Sequence, residues 1–542
     1  MPQTLPIRNL GDVGVVTDQD ASNLPVQVFT RAKNVRFDEN TVVRAPVFRK
    51  VKDSLGFSPV HMYGVSTDTG YNSVLLVSDD FTIKKYFNGS LSDARTGGSS
   101  SNTAVPITTT HLANQVYVNR ADEVPATSPI GALNFVPLAN FNGPNNQEWK
   151  CTSLRAYGDF LIALNMSEGS NVYPNRVRFS DLTLANTIPG SWDATDTTKS
   201  AGFVDLVEMK TSIIDGMPLG NNFIIYSKDQ VWMLDFVGGT FIMNTRKLFS
   251  DVGIMSHNCV VEVERKHYVF ADNDIYIHDG NSRKSIVDGR VRNYIFNGLD
   301  NDLAHKCFVQ HNPDTDEIYF CYKTADDMAE FTNSDNCNRA AAYNYRNDTW
   351  SFMDLPNVTS GSIANLNSSA TYSSIDSTFA YDLLGGTYAS QSAGFDQHTL
   401  FCGGSSTDDG ITSDKLYGID AIESGTMSFD LDTEANRPAF IQRHSIDLDE
   451  ISTLSGYKVI TAMLPQLTTP SNNKTYSFNF GASNILSQAP VYETTAIFDA
   501  ATDHKIDTRA SGRYLSYKLT TSDYKDFSFI GFDAQVTVTG RR

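Results

Sequence analysis

The 542-residue sequence predicts an all-β protein, a degenerate β-propeller with an N-terminal arm and a C-terminal antiparallel β-sandwich-like domain. Three observations carry this reading. No long window places apolar residues at helical spacing, and charged residues reach only 19%, a balance suited to short strands and many polar turns. Strand–turn–strand units recur in the middle of the chain, 44 residues apart from Phe223 to His267 and 50 from His267 to Glu317. That period is the signature of propeller blades. Near the C-terminus, polar and apolar residues alternate over a dozen positions, a strong strand signal.

The units follow in order. Residues 72–89 hold two strands around an Asp79-Asp80 turn, and 158–165 form one buried strand. Residues 221–239 turn at Lys228-Asp229, and 267–280 turn around Asp272, Asn273 and Asp274. The strand at 317–323 leads across a polar insert into AAYNYRNDTWSFMDLP (341–356). There Tyr343 and Tyr345, then Trp350 and Phe352, flank a polar Arg346-Asn347-Asp348 turn, because Asn and Asp tolerate turn conformations. A four-stranded blade cannot bury both faces alone, so neighbours must stack about an axis. An aromatic strand, a polar turn and a Trp packed between blades make this unit similar to a kelch blade. The other units lack the Trp and the double glycine, so the repeat is degenerate.

Three regions are expected: an arm over 1–52, with Pro2, Pro6, Pro25 and Pro46; a propeller over 53–400; and a C-terminal β domain over 401–542. Strands are read at 427–431, 475–480, 513–519 and 527–538. In the last, Ser528, Ile530, Phe532, Ala534, Val536 and Val538 are expected to share one face. The biased segments 92–104 and 326–340 read as loops projecting from the propeller.

A net charge of −19 makes the chain a poor candidate for wrapping nucleic acid, which needs clustered Lys and Arg. It does not exclude DNA as cargo, since acidic walls repel phosphate; an acidic surface also simply aids solubility. The six cysteines (Cys151, Cys259, Cys307, Cys321, Cys337, Cys402) are scattered without C-x-x-C, so neither a disulfide framework nor a zinc site is expected. The start MPQTLPIRNLGDVG has no basic-then-apolar pattern, and no run of 18 apolar residues occurs. Synthesis in a reducing cytoplasm is the expectation, with the sequons at Asn88, Asn165, Asn347 and Asn357 as chance matches.

No P-loop, H-E-x-x-H or G-x-S-x-G is present. His257 and His267 flank a strand pair and read as structural. The pairs Asp272/Asp274, Asp300/Asp302 and Asp314/Asp316 offer oxygen ligands for calcium in principle, but they sit where hairpins need Asx turns and lack an EF-hand frame. Asn347-Asp348-Thr349-Trp350 loosely matches the Asp-box turn of sialidases without its Ser and Gly, and a sialidase also needs an arginine triad and a Tyr nucleophile. No catalytic, cofactor-binding or metal residue is assigned and no enzyme activity is expected. A sialidase-like carbohydrate-active enzyme or lectin, and a kelch-like interaction scaffold, stand as alternatives.

The arm carries a resemblance. Leu24-Pro25, Ala32-Lys33-Asn34-Val35-Arg36-Phe37, Val43 and Arg44-Ala45-Pro46 within 7–51 resemble the N-terminus of tail nozzle proteins of short-tailed bacteriophages, also called tail tubular protein B. The ending SGRYLSYKLTTSDYKDFSFIGFDAQVTVTGRR is similar to their closing strands, and good correspondence covers about a fifth of the chain. The resemblance implies a virion structural protein, a hexameric homo-oligomer ring beneath the portal and tail adaptor protein. It implies a channel that retains packaged double-stranded DNA and passes it on ejection, and seating for tail fibres or tailspikes. It further implies location in the virion tail after synthesis in the bacterial host cytoplasm.

Overall fold

Each blade is built on a strand pair that is apolar on both faces. In the computed structural model, Asn222–Ser227 is buried along nearly its whole length and its partner Val231–Phe236 over its first four residues. The same holds for Asn72–Ser78, Lys266–Ala271 and Glu317–Tyr322. β-branched and aromatic side chains fit a pleated surface, and both faces are covered because a further blade lies on each side. The structure describes residues 3–540 apart from 67–71, 88, 144–145, 240, 327, 367–395, 421–428, 449–455, 470–474, 494, 523 and 525.

Among the described residues the propeller has seven antiparallel blades. Their innermost strands are Pro59–Ser66, Ile107–Leu112, Gln147–Tyr157, Ile213–Leu219, Val260–Val263, Phe308–Asn312 and the stretch 358–366. These strands contact one another in ring order. Blades 1 and 2 are joined by His61 Nε2 to Thr109 Oγ1 (3.0 Å) and Tyr63 to His111 (2.7 Å). Blade 7 closes on blade 1 where the Gly64 amide donates to Ser362 Oγ at 2.9 Å. A Cβ on Gly64 would lie 2.2 Å from the Ile363 carbonyl, so only glycine permits this approach.

The 341–356 segment is the outer hairpin of blade 6, with Tyr343 opposite Trp350. Its second strand, Thr349–Leu366, continues past Pro356 and Asn357, which bends in the left-handed region at φ 52°. Residues 349–354 pair within blade 6, whereas 358–366 become the inner strand of blade 7. Asp396–Gly403 and Lys415–Ile419 follow, and the outermost strand is Phe48–Lys52 from the arm. Two expected boundaries therefore move. Residues 48–52 belong to the propeller, as do 401–403 and 415–419, and the ring is closed by strands from both ends of the chain.

The rest of the arm is woven into the C-terminal domain rather than lying free. One sheet runs Val35–Asp38, Thr41–Arg44, Ser528–Gly540, Tyr457–Thr468, Ile506–Gly512, with Gln3–Ile7 also paired to Ser528–Gly540. The second runs Arg31–Lys33, Ala439–Ile446, Tyr514–Thr521, Thr475–Ser483, with Val491–Tyr492 and Ala496–Asp499 at its far edge. The sheets face each other through Phe478 on Phe529 (6.3 Å) and Tyr517 on Phe532 (5.0 Å), a β-sandwich. One apolar cluster runs from this sandwich through Phe29 and Phe37 of the arm to Trp350 and Phe270 in the propeller.

The strand at 528–540 corrects the expected face. Gln466 pairs with Gly531 and Leu467 with Phe529, so Ile530 is skipped as a bulge. The slip brings Phe529 and Phe532, three apart, onto one face with rings stacked at 6.3 Å, and Ala534 and Val536 follow. Ile530 is 36% and Val538 38% exposed, while Leu10 donates its amide to the bulged Ile530 carbonyl. The expected strand at 427–431 is absent from 429–431, where Leu431 makes one isolated bridge to Arg49; 427–428 lie outside the described residues.

The first expected loop is partly strand: Ser90–Arg95 is the outer strand of blade 1, whereas 96–104 is irregular and mostly exposed, as expected, and 103–107 line a cavity at the inner strands. The second is packed. In the second segment Met328 and Phe331 are buried and Cys337–Asn344 is a core strand. Blade 2 and most inner strands escaped sequence reading because strands such as ITTTHL and FVQHN are polar where they line the axis.

Candidate functional site at the propeller axis

One buried carboxylate ties the inner strands together. Asp215, on the inner strand of blade 4, has no exposed surface. Arg155 of blade 3 grips it with two bonds, Nε to Oδ1 at 3.0 Å and Nη2 to Oδ2 at 2.6 Å. Ser153 donates to Oδ1 at 2.6 Å, and the Asn258 amide at the start of blade 5 donates to Oδ2 at 3.0 Å. Arg155 also donates to Asn258 Oδ1 and to the Thr109 carbonyl of blade 2, and the Thr109 hydroxyl meets His61 of blade 1. Five consecutive blades thus converge on a polar plug. Burial alone disfavours the Asp215 charge, but the Arg155 guanidinium holds its carboxyl well below the usual carboxylate range.

Above the plug lies a cavity of about 280 Å³, lined among others by Val60, His61, Ile214, His257, Lys306 and Phe308. Burial pushes His61 down to about 3, with the Arg155 charge adding to the effect, and His257 down to about 4. Both rings are neutral in this site. The Nε2 of His257 is buried and without a hydrogen-bond partner. Sequence reading assigned His257 a structural role and did not single out Asp215 or Arg155. The available signal was a lone charge inside an apolar strand, as in Ile213-Ile214-Asp215-Gly216-Met217.

His267 is structural. It is fully buried, and its Nε2 donates to the Pro218 carbonyl at 2.7 Å. Its Nδ1 therefore accepts from the Tyr226 hydroxyl (2.7 Å), whose oxygen accepts from His278 Nε2 (2.6 Å). The Gly280 amide donates to His278 Nδ1 and completes a chain in which each donor has an acceptor. Burial pushes His267 down to about 4 and His278 to about 3.

The acidic pairs serve turns. Asp274 accepts from Ser285, Asp300 caps the 3-10 turn Asn301–Lys306, and Asp316 accepts from Tyr345. Among the described residues no cluster of three His, Cys, Asp or Glu has metal-binding geometry. All six cysteines are buried and free, and burial pushes the Cys337 and Cys402 thiols up to about 12. Trp350 is fully buried, and its indole donates to the Ile286 carbonyl of the neighbouring blade at 3.0 Å.

The arm motif forms a three-way joint. Lys33 Nζ meets Asp354, Glu330 and the Met328 carbonyl at 3.1, 2.9 and 2.8 Å. Asn34, at φ 56°, bonds Asp354 in both directions and gives its amide to the Phe352 carbonyl. Arg44 Nη2 reaches the Arg437 carbonyl at 2.8 Å and lies over Tyr524. Gly14 lies against the Trp350 backbone, and Val15 donates to the Trp350 carbonyl. Arm, propeller and sandwich are welded at this point.

No family model and no curated protein matches the chain. Solved structures similar to it include a mitotic checkpoint complex (10% identity, 58% of this chain and 90% of that chain, TM-score 0.36). U3-55K (9%, 59% and 93%, TM-score 0.37) and the WD40 repeats of RRP9 (8%, 60% and 92%, TM-score 0.36) are also similar. The propeller assignment stands on the strand order itself. Among the described residues no helix is long and apolar enough to cross a membrane.

Proposed function

We propose that this chain is a virion structural protein, the nozzle subunit of a short-tailed phage tail, which assembles as a ring around the DNA exit path. One observation supports the reading most. The two segments that carry the resemblance, 7–51 and 511–542, lie far apart in the sequence yet pair in the same two sheets: 42–43 with 528–529 and, through Ala439–Ile446, 31–33 with 514–521. A resemblance split between chain ends becomes one continuous sandwich, joined rigidly to the propeller by Lys33, Asn34 and Arg44.

A propeller axis filled by Asp215, Arg155, Ser153 and Asn258 has no room for a duplex. In this reading the conduit therefore lies between copies arranged about a common axis, with the net −19 charge of each copy discouraging phosphate adhesion. Closed cyclic symmetry also covers exposed strand edges. The sandwich end, where both chain ends meet, is the face assigned to the adaptor, and fibres or spikes seat elsewhere on the ring. No turnover is assigned: Arg155 is consumed by Asp215 and is not free to clamp a substrate carboxylate. Native mass spectrometry and electron microscopy, on the protein alone and mixed with a tail adaptor, test this. A sixfold ring of 59.8 kDa chains is expected, and a monomer under both conditions would sink the reading.

A further inference from the structure

Two strand edges of this chain are open and match each other. The outer strand of blade 4, Met243–Phe249, and the far edge of the sandwich, Val491–Tyr492 with Ala496–Asp499, each pair with a single neighbour among the described residues. The first lies on the propeller rim. The second lies four strands beyond Arg31–Lys33, the strand that meets the propeller. An open edge is a row of backbone donors and acceptors that a further strand can complete.

Both edges also carry apolar side chains into solvent, and clusters of these mark contact surfaces. Phe241 is 80% exposed at the foot of the rim strand, with Phe236 and Val237 exposed across the turn. On the sandwich edge Ile497 is 71% and Val491 66% exposed.

Charge tells the two edges apart. Residues 241–249, FIMNTRKLF, hold Arg246 and Lys247 and no acid, whereas 491–499, VYETTAIFD, hold Glu493 and Asp499 and no base. Within the chain Arg246 stands 3.8 Å from Asp235 and Lys247 3.3 Å from Glu208. Such solvent-facing pairs are weak, so both cations remain available to further carboxylates. Rim against rim, or sandwich against sandwich, sets like charges together; rim against sandwich joins opposite ones. A contact between two different patches of one chain is heterologous, the kind from which closed rings are built.

We propose that the rim strand Met243–Phe249 of one copy adds to the sandwich edge 491–499 of the next, with Arg246 and Lys247 facing Glu493 and Asp499 of that copy. The inference rests on the ring reading and deepens it by naming the surfaces that join the copies.

Charge reversal tests it in the full chain, under the conditions in which the unmodified protein forms its ring. Arg246→Glu/Lys247→Glu alone, and Glu493→Lys/Asp499→Lys alone, should each raise the concentration needed for assembly at least about tenfold, because every contact then opposes like charges. An equimolar mixture should assemble again. Alternating copies then bring Glu to Lys at one contact and the native charges together at the next, and native mass spectrometry should count equal numbers of each variant. Thermal melting confirms the fold of each variant before assembly is read. Phe241→Ser, at a surface side chain, should also weaken assembly, and it supplies the readout if Asp499→Lys disturbs the turn that Asp499 holds through the Ala501 amide. Rings that form unhindered from either reversed variant alone would overturn the contact, leave the ring reading standing and give these edges to another occupant. A mixture of folded variants that stays monomeric would likewise overturn it. An unmodified chain that forms no ring removes the ring reading and this contact together.

Discussion

Lys33 Nζ and Asp354 Oδ2 lie 3.1 Å apart with side chains only 1% and 2% exposed, and they join the arm to the outer strand of blade 6. Arg339, with no exposed surface, stands 3.6 Å from the other Asp354 oxygen and 3.3 Å from Asp326. Asp354 thus serves two buried cations and Asn34. Removing it takes a buried carboxylate from both cations at once, leaving Lys33 with the half-exposed Glu330 and Arg339 with Asp326, whereas removing Lys33 leaves Asp354 with Arg339. Asp354→Ala should cost about 3–5 kcal/mol, and Lys33→Met clearly less. Urea unfolding at neutral pH ranks the two, and the opposite order would refute this account.

Trp350→Ala should cost about 3–5 kcal/mol, because it empties a fully buried indole site between blades and leaves the Ile286 carbonyl without its donor. Trp350→Phe keeps most of the packing against Tyr343 (4.9 Å) and Phe320 (5.8 Å), so its loss should be smaller. Thermal melting compares them. If the ring stacked on a glycan instead, melting would hardly move.

Acid should weaken the fold in a defined window. His61, His257, His267 and His278 have folded pKa values of about 3, 4, 4 and 3, all below the ordinary 6.5. Between these values and 6.5 the unfolded chain binds protons that the native chain refuses, so stability rises with pH there. Stability is full above pH 6.5, falls as pH drops through 6 and 5, and stops falling on this account near 3. Denaturation midpoints across pH 4 to 7 should follow that slope, and His278→Gln should flatten it. A flat profile in the unmodified protein would contradict the neutral-histidine assignment.

An arm viewed as a detachable tether predicts that deleting residues 1–45 leaves a folded propeller. The structure argues otherwise. The deletion removes Gln3–Ile7, Arg31–Lys33, Val35–Asp38 and Thr41–Arg44 from the sandwich edges and takes Lys33 and Asn34 away from Asp354. The truncated chain should lose near-ultraviolet dichroism and bind hydrophobic dye. A shortened chain that melts as cooperatively as the full one would show that the joint is dispensable.

Duplex DNA should bind the isolated protein more weakly than roughly 10⁻⁴ M at physiological salt, since acidic surface releases no counterions from phosphate. Lowering salt should not rescue binding, because repulsion lengthens with the Debye length. Titrating fluorescent duplex at two salt concentrations checks this. A steep rise in affinity at low salt would reveal a segregated basic belt and overturn the repulsive-channel idea.

Short-range pattern was enough to find the middle strand pairs of blades 1, 4 and 5 and the outer hairpin of blade 6, since their apolar runs and Asp- or Asn-bearing turns lie within about twenty residues of one another. The motif at 32–37 stood out only through the family resemblance, which did not reveal that Lys33 and Asn34 are buried against Asp354, some 320 residues away. Blade 7 was out of reach for the same reason: Phe48–Lys52 pairs with Lys415–Ile419 only when the ring closes. The bulge at Ile530 lies where the carbonyl meets Leu10 from the other end of the chain, and a single skipped residue reverses the face that alternation assigns. Asp215 reads locally as one carboxylate in an apolar strand. Its role arises where inner strands from five blades meet, because a buried charge must find its partners in space rather than along the chain.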